Sequence, residues 1–577
     1  MAMPLRSWVF NEVWKHCCLM LWMAATTFVF CRTFLLYYYG PEYYYLHKML
    51  GLGLCLSRAS ASAINLNCAL ILLPMCRTTL ALLRGSRRVT SRGTRRLLDR
   101  NKSFHVACGI AIALFTGVHC AAHMVNAWNF SAHHSSQFPE INVVRYRNED
   151  PRKILFTTVP GVTGILMVVI LFLIGTSSTR QIRVTSYNVF WYTHSLYLVF
   201  FLLLLLHATG GVLKVQTNLL EHPPGCDTHG RPGNATSLPG VGIPEPLPEG
   251  FAEPEPGMAK NSGVECRELP RFQSQIPEAW LWVSGPLCLY CAERVYRFIR
   301  SSRAVTVTSA AQHPGNVLEI RMLRPGFAAR PGQYVLLHCP SVSTFESHPF
   351  TLTECPPDSK GNFAIHLRVL GDWTGKSSLR DQLITNQNPN MEYLRTSPTP
   401  PRQHPKLYID GPFGSPAEEV FNYRVSLCVA GGIGVTPFAA VLNALLQQWG
   451  GVRLRRLYLV WVCKEARDFG WLAAVLTALH GKLWRENRPD FFSVRLFTTR
   501  SGALERLEEK YHALNSRMSV GRPCWRALFN EIAQCNQRTS VGVFCCGPQK
   551  MSRAVHRTCN RCSAHGTSFH YNKESFG

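Results

Sequence analysis

Four histidines stand inside long apolar segments, His105 and His119 on one and His194 and His207 on another. An imidazole in hydrocarbon is costly, so each needs a partner. One taken alone reads as an interhelical hydrogen-bond donor. Two pairs of nearly matching spacing point to metal ligation. Separations of 14 and 13 residues, at about 1.5 Å per residue, place the members of each pair roughly 20 Å apart. Two facing helices could then hold two stacked haems, one towards each membrane face, and the chemistry on offer is electron transfer across a bilayer. At about 100° per residue, 14 steps bring His119 back within about 40° of His105, but 13 steps leave His207 about 140° from His194. The second helix therefore needs a local irregularity or different ring rotamers.

Such a path needs an electron donor, and the second half of the chain offers nucleotide binding. In VSLCVAGGIGVTP an apolar strand runs into Gly431-Gly432-Ile433-Gly434 and then a helix expected to start around Thr436-Pro437. Glycines let backbone amides approach a pyrophosphate, and the helix N-terminus adds partial positive charge. The order strand, turn, helix, with proline in the first helical turn, makes this stronger than glycines alone. Phe544-Cys545-Cys546-Gly547-Pro548 ends another strand on the edge of a parallel sheet where ligands bind, although alone it is more often an ordinary turn. Arg330-Pro331-Gly332-Gln333-Tyr334 and His348-Pro349-Phe350-Thr351 combine an aromatic, a hydroxyl and basic groups at strand ends. They are compatible with a flavin or phosphate, and equally with structural turns. A barrel followed by a nucleotide-binding domain favours the flavin, because hydride from a nicotinamide must be split into single electrons before reaching haem.

The elements that must position these groups fall into two halves. Segments near 17–38, 51–83, 104–125, 157–176, 190–210 and 277–293 have the length and polarity of membrane helices, six in all, the first two interrupted by Arg32, Arg58 and Arg77. The opening MAMPLRSWVFNEVWKHCC has no small-residue cleavage site after it, so an uncleaved anchor is expected. From about 304, VTVTSA, VLEIRML, QYVLLHC and FAIHLRVL suggest a small antiparallel barrel. From about 405, LYIDGPFG and the strand–helix alternation after it describe a parallel α/β domain. Ser397–Pro405 is a natural boundary. The expected organisation is a six-helix all-α transmembrane haem domain over 1–300, an antiparallel β-barrel over 301–400 and an α/β parallel-sheet domain over 401–577.

The net charge of +26 would suit nucleic acid only on a basic soluble face. Much of it lies instead in short loops between apolar spans, where it reads as topology. Loop 84–102 carries eight Lys/Arg against Asp99, and further arginines follow the fourth and sixth spans (Arg180, Arg183, Arg294, Arg297, Arg300, Arg303). That puts the loop, the N-terminus and the large C-terminal half in the cytosol. The loops after the third and fifth spans are then external, and both contain glycosylation sequons, at Asn129 and Asn234. Most of the 22 cysteines should be reduced, whereas Cys226 and Cys266, the two in external loop 211–276, can close it with a disulfide. That loop is rich in proline and glycine without helical or strand period. Cys288/Cys291 and Cys559/Cys562 each lack a second CxxC nearby, which argues against zinc there.

Together the histidine pairs, HPFT at 348–351, GDWT at 371–374, DGPFG at 410–414, AGGIGVTP at 430–437, CGP at 546–548 and the ending YNKESFG resemble the NADPH oxidase family over essentially the whole chain. LGLGLCLSRASASAINLNC, EKYHALNSR and the extended external loop resemble one branch of it. The resemblance implies a ferric reductase-like transmembrane flavocytochrome b joined to a ferredoxin-reductase-like half. It implies that His105 and His194 hold the inner b-type haem and His119 and His207 the outer one. Arg330, Tyr334, His348, Pro349, Phe350, Thr351, Arg368 and Thr374 fall where the family binds FAD, and Phe576 where a terminal aromatic covers the flavin, here followed by Gly577. Gly411, Gly432, Gly434, Pro437, Cys546, Gly547 and Pro548 match the NADPH segment, with Lys464 and Arg522 placed to meet the 2′-phosphate. An ammonium at 464 in place of the family's arginine keeps the charge but loses bidentate contact, which weakens NADPH selectivity.

Arg58 and His123 complete an expected oxygen site. An arginine in an apolar span is costly unless it neutralises a haem propionate or a developing anion, and His123 lies one turn beyond His119. The bland alternatives are snorkelling for Arg58 and a packed polar contact for His123. The expected activity takes electrons from cytosolic NADPH through FAD and the two haems to O2 on the far side. The resemblance to that branch implies superoxide as the primary product and hydrogen peroxide as the main one released, with His222 or His229 as the expected proton source. A metalloreductase of the same architecture is the rival, and a channel or scaffold without redox function is the rival from another class. No EF-hand pattern occurs, so calcium is not expected. The resemblance also implies the small membrane subunit p22phox as partner, in the endoplasmic reticulum or plasma membrane.

Overall fold

A computed structural model describes residues 5–85, 92–226, 268–275, 277–344, 346–355, 361–374, 379–384, 404–447, 453–500, 507, 509–562 and 566–574. The chain divides into two compact units: a helical one, Trp22–Leu73 with His105–Cys288, and a barrel–sheet one, Met1–Leu21 with Pro74–Phe104 and Leu289–Gly577.

Among the described residues, five helices are long and apolar enough to cross a membrane: Val9–Tyr39, Leu52–Met75, Asn101–Ala132, Val159–Ser177 and Tyr187–His207. Leu114, Phe172 and Leu202 on them are exposed, as suits lipid. The sixth expected span forms a helix, Ala279–Ser301, with Pro286 inside it. Glu293, Arg294, Arg297 and Arg300 make its second half polar, which shortens the apolar stretch. The expected span 51–83 is divided, because the helix stops at the Leu73–Met75 turn around Pro74 and a separate helix, Arg77–Gly85, follows. The third span is longer than expected and runs to Ala132. The Asn129 sequon is therefore helical and not in a loop, and Asn129 Nδ2, the atom a glycan would occupy, donates to the Leu50 carbonyl at 2.9 Å. Asn234 lies outside the described residues.

The two ends of loop 211–276 do form regular structure. Strands β1 (Lys214–Gln216) and β2 (Phe272–Ser274) pair antiparallel, with Val215 opposite Gln273. Leu213, Val215 and Phe272 pack on a cluster around Tyr37, Tyr43, Leu46 and Phe130.

In the other unit, β3 (Ala304–His313), β4 (Val317–Leu323), β5 (Tyr334–His338), β6 (Ser347–Glu354), β7 (Asn362–Arg368) and β8 (Leu407–Phe413) close a barrel in the order β3-β4-β7-β6-β5-β8. Strand β8, which the sequence pattern assigns to the α/β domain, thus belongs to the barrel: Leu407 and Ile409 are fully buried in its core. The parallel sheet follows, with β9 (Val425–Gly431), β10 (Arg456–Cys463), β11 (Phe492–Thr498), β12 (Met518–Val520), β13 (Ser540–Cys546) and β14 (Ser568–Glu574) in the order β12-β11-β10-β9-β13-β14. The order reverses between β9 and β13, and ligands of open α/β sheets bind at such a switch point.

The basic loop is more than a topology signal. Arg84 pairs with Asp99 at 2.9 Å and with Glu418, Arg95 with Glu419 at 2.7 Å, and Arg92 donates to the Asn422 carbonyl at 2.8 Å. Arg96 donates to Asn572 at 2.9 Å. These arginines fasten the segment to residues more than three hundred positions away, in the turn Pro416–Asn422 before β9 and on strand β14.

Candidate functional site

In the helical unit the structure brings the histidines together in pairs. The rings of His105 and His194 face each other with centroids 6.1 Å apart, and those of His119 and His207 at 6.2 Å. Two metal–nitrogen bonds of about 2 Å and the two half-rings behind them add up to roughly 6 Å, so one haem iron fits between each pair. The 13-residue spacing is accommodated by a break: one helix covers Tyr187–Ser195, the next Tyr197–His207, and Leu196 between them is bonded back to Thr193.

Each Nδ1 is occupied. His105 Nδ1 meets the Ile71 carbonyl at 3.0 Å and His119 Nδ1 the Ser57 carbonyl at 2.9 Å. His194 Nδ1 meets Ser178 Oγ at 3.2 Å and His207 Nδ1 meets Thr163 Oγ1 at 2.9 Å. Both hydroxyls already give their proton away, Ser178 to the Ile174 carbonyl and Thr163 to the Val159 carbonyl, each at 2.6 Å. All four Nδ1 atoms are thereby the N–H donors, and all four Nε2 atoms carry the lone pair a metal requires.

Near the second pair, the ring of His123 lies 4.5 Å from that of His119, edge to face. Arg58 Nε donates to the Tyr37 hydroxyl at 3.1 Å, which donates to Gln275 Oε1 at 3.0 Å. This chain leads from the arginine to the end of loop 211–276. His222 in that loop is fully buried. Its Nδ1 donates to the Glu268 carbonyl at 2.9 Å, and its Nε2 accepts from the Tyr45 hydroxyl at 2.5 Å. A ring with both nitrogens engaged and no exposure pins the loop, and is not placed to give a proton to a solvent-borne acceptor as expected. Cys226 is disulfide-bonded. Cys266 and His229 lie outside the described residues.

In the other unit, β5 and β6 align Tyr334 with Thr351, Val335 with Phe350, Leu336 with Pro349 and Leu337 with His348. Trp373 packs against His348 at 4.5 Å and Phe350 at 6.0 Å, building an aromatic wall suited to a flavin. Among the described residues no acceptor meets its buried Nε1. Thr374 Oγ1 receives the Leu370 amide at 2.8 Å and fixes that turn. Arg330 is exposed at the start of the β5 turn, and burial raises the Tyr334 phenol above its ordinary value. Gly411 sits in the barrel wall, where a Cβ would come within 3.2 Å of the Tyr334 carbonyl. Phe576 lies outside the described residues. Just before it, burial pushes the Glu574 carboxyl up to about 8, with the Ala417 amide donating to Oε2 at 3.2 Å.

The glycine-rich turn and the CGP motif meet at the switch point. Cys546 aligns with Ala430, and a Cβ on Gly434 would stand 2.5 Å from the Cys546 carbonyl. Pro548 closes on Gly431, and a Cβ on Gly547 would come within 3.0 Å of the Gly431 nitrogen. Gly432 has φ +56°, open to glycine, and its carbonyl accepts from Trp461 Nε1 at 2.9 Å. Pro437 is in the first turn of helix Thr436–Gln447. Burial holds the Cys546 thiol well above its ordinary value, so it packs and does not act as a nucleophile. Beside this cradle a cavity of about 200 Å³ is lined by Gly315, Asn316, Arg368, Lys464, Arg467 and Asp468. Arg368, expected among the flavin residues, lines this cavity. Arg522 is exposed just beyond β12, at the same end of the sheet. Sequence reasoning missed Arg467 and Arg500; the Arg500 amide donates to the Lys464 carbonyl at 3.1 Å and its guanidinium pairs with Glu465. Their positions just after strands β10 and β11 were the available signal.

Comparison with known proteins agrees with this architecture. Residues 59–205 match the ferric reductase like transmembrane component, 302–417 the FAD-binding domain and 423–560 the ferric reductase NAD binding domain. The chain is 56% identical over 586 residues to NADPH oxidase 4 of Pongo abelii and 56% identical over 585 residues to that of Homo sapiens, covering 100% of both chains in each case. It is 34% identical to NADPH oxidase 3 of Homo sapiens over 99% of each. The chain belongs to the NADPH oxidase family, as an integral membrane, NADPH-dependent oxidoreductase with FAD and haem groups that delivers electrons to O2 and produces reactive oxygen.

Proposed function

We propose that this oxidase makes superoxide first and releases mainly hydrogen peroxide, and that the fastened loop 211–276 sets that product. When bound, NADPH, FAD and two b-type haems supply hydride donation, its division into single electrons and their passage to O2. His105 with His194, and His119 with His207, hold the haems through their Nε2 atoms. Tyr334, His348, Pro349, Phe350, Thr351 and Thr374 hold the flavin, with Phe576 covering it. Gly432, Gly434, Pro437, Gly547 and Pro548 cradle the pyrophosphate, while Arg368, Lys464 and Arg522 meet the phosphates. Arg58 attracts and stabilises the developing oxygen anion, and His123 lines its site beside His119. The division into 1–300, 301–400 and 401–577 assigns these tasks, with β8 moved into the flavin barrel.

The barrel–sheet unit and both termini lie on the cytosolic face in this reading, supported by the pairing of the basic loop with Glu418 and Glu419. The His119–His207 pair then faces outwards in the endoplasmic reticulum or plasma membrane, with p22phox as the membrane partner.

The observation that carries the peroxide assignment is the closure of the loop: Cys226 is disulfide-bonded and His222 is buried between Tyr45 and the Glu268 carbonyl. A closed loop joined through Gln275 and Tyr37 to Arg58 retains the first product long enough for its conversion. Cys226→Ser should raise the superoxide share several-fold at unchanged NADPH consumption, read with superoxide- and peroxide-specific probes on the purified enzyme. An unchanged ratio sinks the assignment.

A further inference from the structure

Three side chains outside the redox path converge on the barrel wall. Glu319 on β4 is the direct cross-strand neighbour of His366 on β7, and His313 on β3, paired with Val317, lies diagonal to it. On a sheet such positions are within reach of long side chains. His313 Nε2 is 2.8 Å from Glu319 Oε2 and His366 Nε2 is 3.7 Å from the same oxygen; one ligand atom from each of the three residues lies within 4.8 Å of the others. Tetrahedral zinc with bonds of about 2.0 Å needs ligand atoms about 3.3 Å apart, so sub-ångström side-chain adjustments suffice for the two measured distances.

The tautomer of His366 supplies the chemical argument. Thr353 Oγ1 donates its single proton to the Ala364 carbonyl at 3.1 Å and stands 2.8 Å from His366 Nδ1. With the hydroxyl proton on that carbonyl, the hydroxyl accepts from Nδ1, which carries the hydrogen. The Nε2 lone pair then faces a carboxylate oxygen, acceptor against acceptor, and a cation between them resolves the conflict. The remaining surroundings behave as outer-shell support: Arg321 Nε holds the other oxygen, Glu319 Oε1, at 2.7 Å and is itself paired with Glu354 at 2.9 Å, while Trp471 stacks on the His366 ring at 4.4 Å. Arg321 opposes a cation electrostatically, but its own pairing with Glu354 offsets that charge.

We propose that His313, Glu319 and His366 form a binding site for a divalent ion of the zinc class, with two imidazoles, one carboxylate and an open fourth position. Zinc is the fit because the set is nitrogen and oxygen without a thiolate, and His2Glu with an open position is among the sets zinc uses. The site adjoins the nucleotide cavity. Gly315 and Asn316, in the β3–β4 turn after His313, and Arg368, two residues after His366, line that cavity. Occupancy therefore stiffens one wall of it.

The test uses the purified full-length enzyme with its haem and FAD, stripped with a chelator and titrated with zinc alone. The unmodified enzyme should bind one zinc more per chain than His313→Gln, or bind it at least tenfold more tightly. His313 is partly exposed, so that substitution should leave FAD and haem contents unchanged. His313→Cys, which offers zinc a different ligand, should restore the lost ion. Equal zinc stoichiometry and affinity in the unmodified enzyme, His313→Gln and Glu319→Gln overturns the site. If a variant loses FAD, zinc-edge X-ray absorption of the unmodified enzyme decides: scattering from two imidazoles supports the site, and an oxygen-only shell overturns it.

Discussion

In the helical unit every one of the four paired histidines has its Nδ1 tied to a carbonyl or hydroxyl of a neighbouring helix or its cap, whereas Lys464, Arg467 and Arg522 of the barrel–sheet unit stand exposed beyond strand ends. The first arrangement fixes ring orientation and tautomer before any ligand arrives. The second keeps long, solvated cations that settle when phosphate does. A resident group that stays through every turnover rewards preorganisation, since its binding is also structural. A nucleotide that must leave after each hydride gains more from a backbone cradle surrounded by adjustable charge.

The contrast is broken most severely by removing a ligand. His207→Leu should eliminate one of the two haem signals and abolish NADPH-driven oxygen consumption, while FAD content stays unchanged. A retained bis-haem spectrum would falsify the pairing. Thr163→Val is a finer cut, because it removes only the group that receives His207 Nδ1–H. Haem retention should weaken by about 10- to 100-fold. If adjustable charge is what the nucleotide side requires, the rigid cradle should be its sensitive part: Gly434→Ala places a methyl against the Cys546 carbonyl and should raise the KM for NADPH about tenfold, equivalent to about 1.4 kcal/mol, with both haem signals intact. A KM unchanged there moves the pyrophosphate elsewhere.

The smallest effect is a pH slope. The Glu574 carboxyl titrates at about 8 in the folded chain against an ordinary value of 4.5. The folded state holds this proton more tightly, so the contribution is fully present below about 4.5 and is lost as pH rises through about 8. Between those limits stability should fall by at most about 1.4 kcal/mol per pH unit. Glu574→Gln should flatten that part of the profile of thermal unfolding followed by flavin fluorescence; an identical slope removes Glu574 as its source.

Much of this was legible in the chain because the signals were local. Imidazoles in apolar runs, a glycine turn between strand and helix, and alternating strands after residue 304 each announce themselves within a dozen residues. What was not legible depended on distant partners. The helix break at Leu196 has no glycine or proline to mark it, and only the bond from Leu196 back to Thr193 explains the His194–His207 spacing. Arg84 and Arg95 carry the same charge whether they face water or Glu418 and Glu419, so the loop read only as topology. Thr163 and Ser178 look like ordinary helix residues until the imidazoles behind them are placed. LYIDGPFG is an apolar strand in either domain, and only closure of the barrel assigns it.

The ends of the chain have a further bearing on how the protein is made. Strand β14 is an edge of the sheet, and its outward backbone groups are covered by side chains from residues 7 and 11: Ser7 Oγ accepts from the Phe569 amide at 3.2 Å, Asn11 Oδ1 from the Tyr571 amide at 2.9 Å, and Asn11 Nδ2 donates to the Phe569 carbonyl at 3.1 Å. Asn11 leaves the ribosome 558 residues before Phe569, which at 5–20 residues per second is roughly half a minute to two minutes. For that interval the cover exists without the edge. A fragment begun after residue 300 has the opposite condition, an edge without its cover, and an uncovered parallel edge is a template for association between chains.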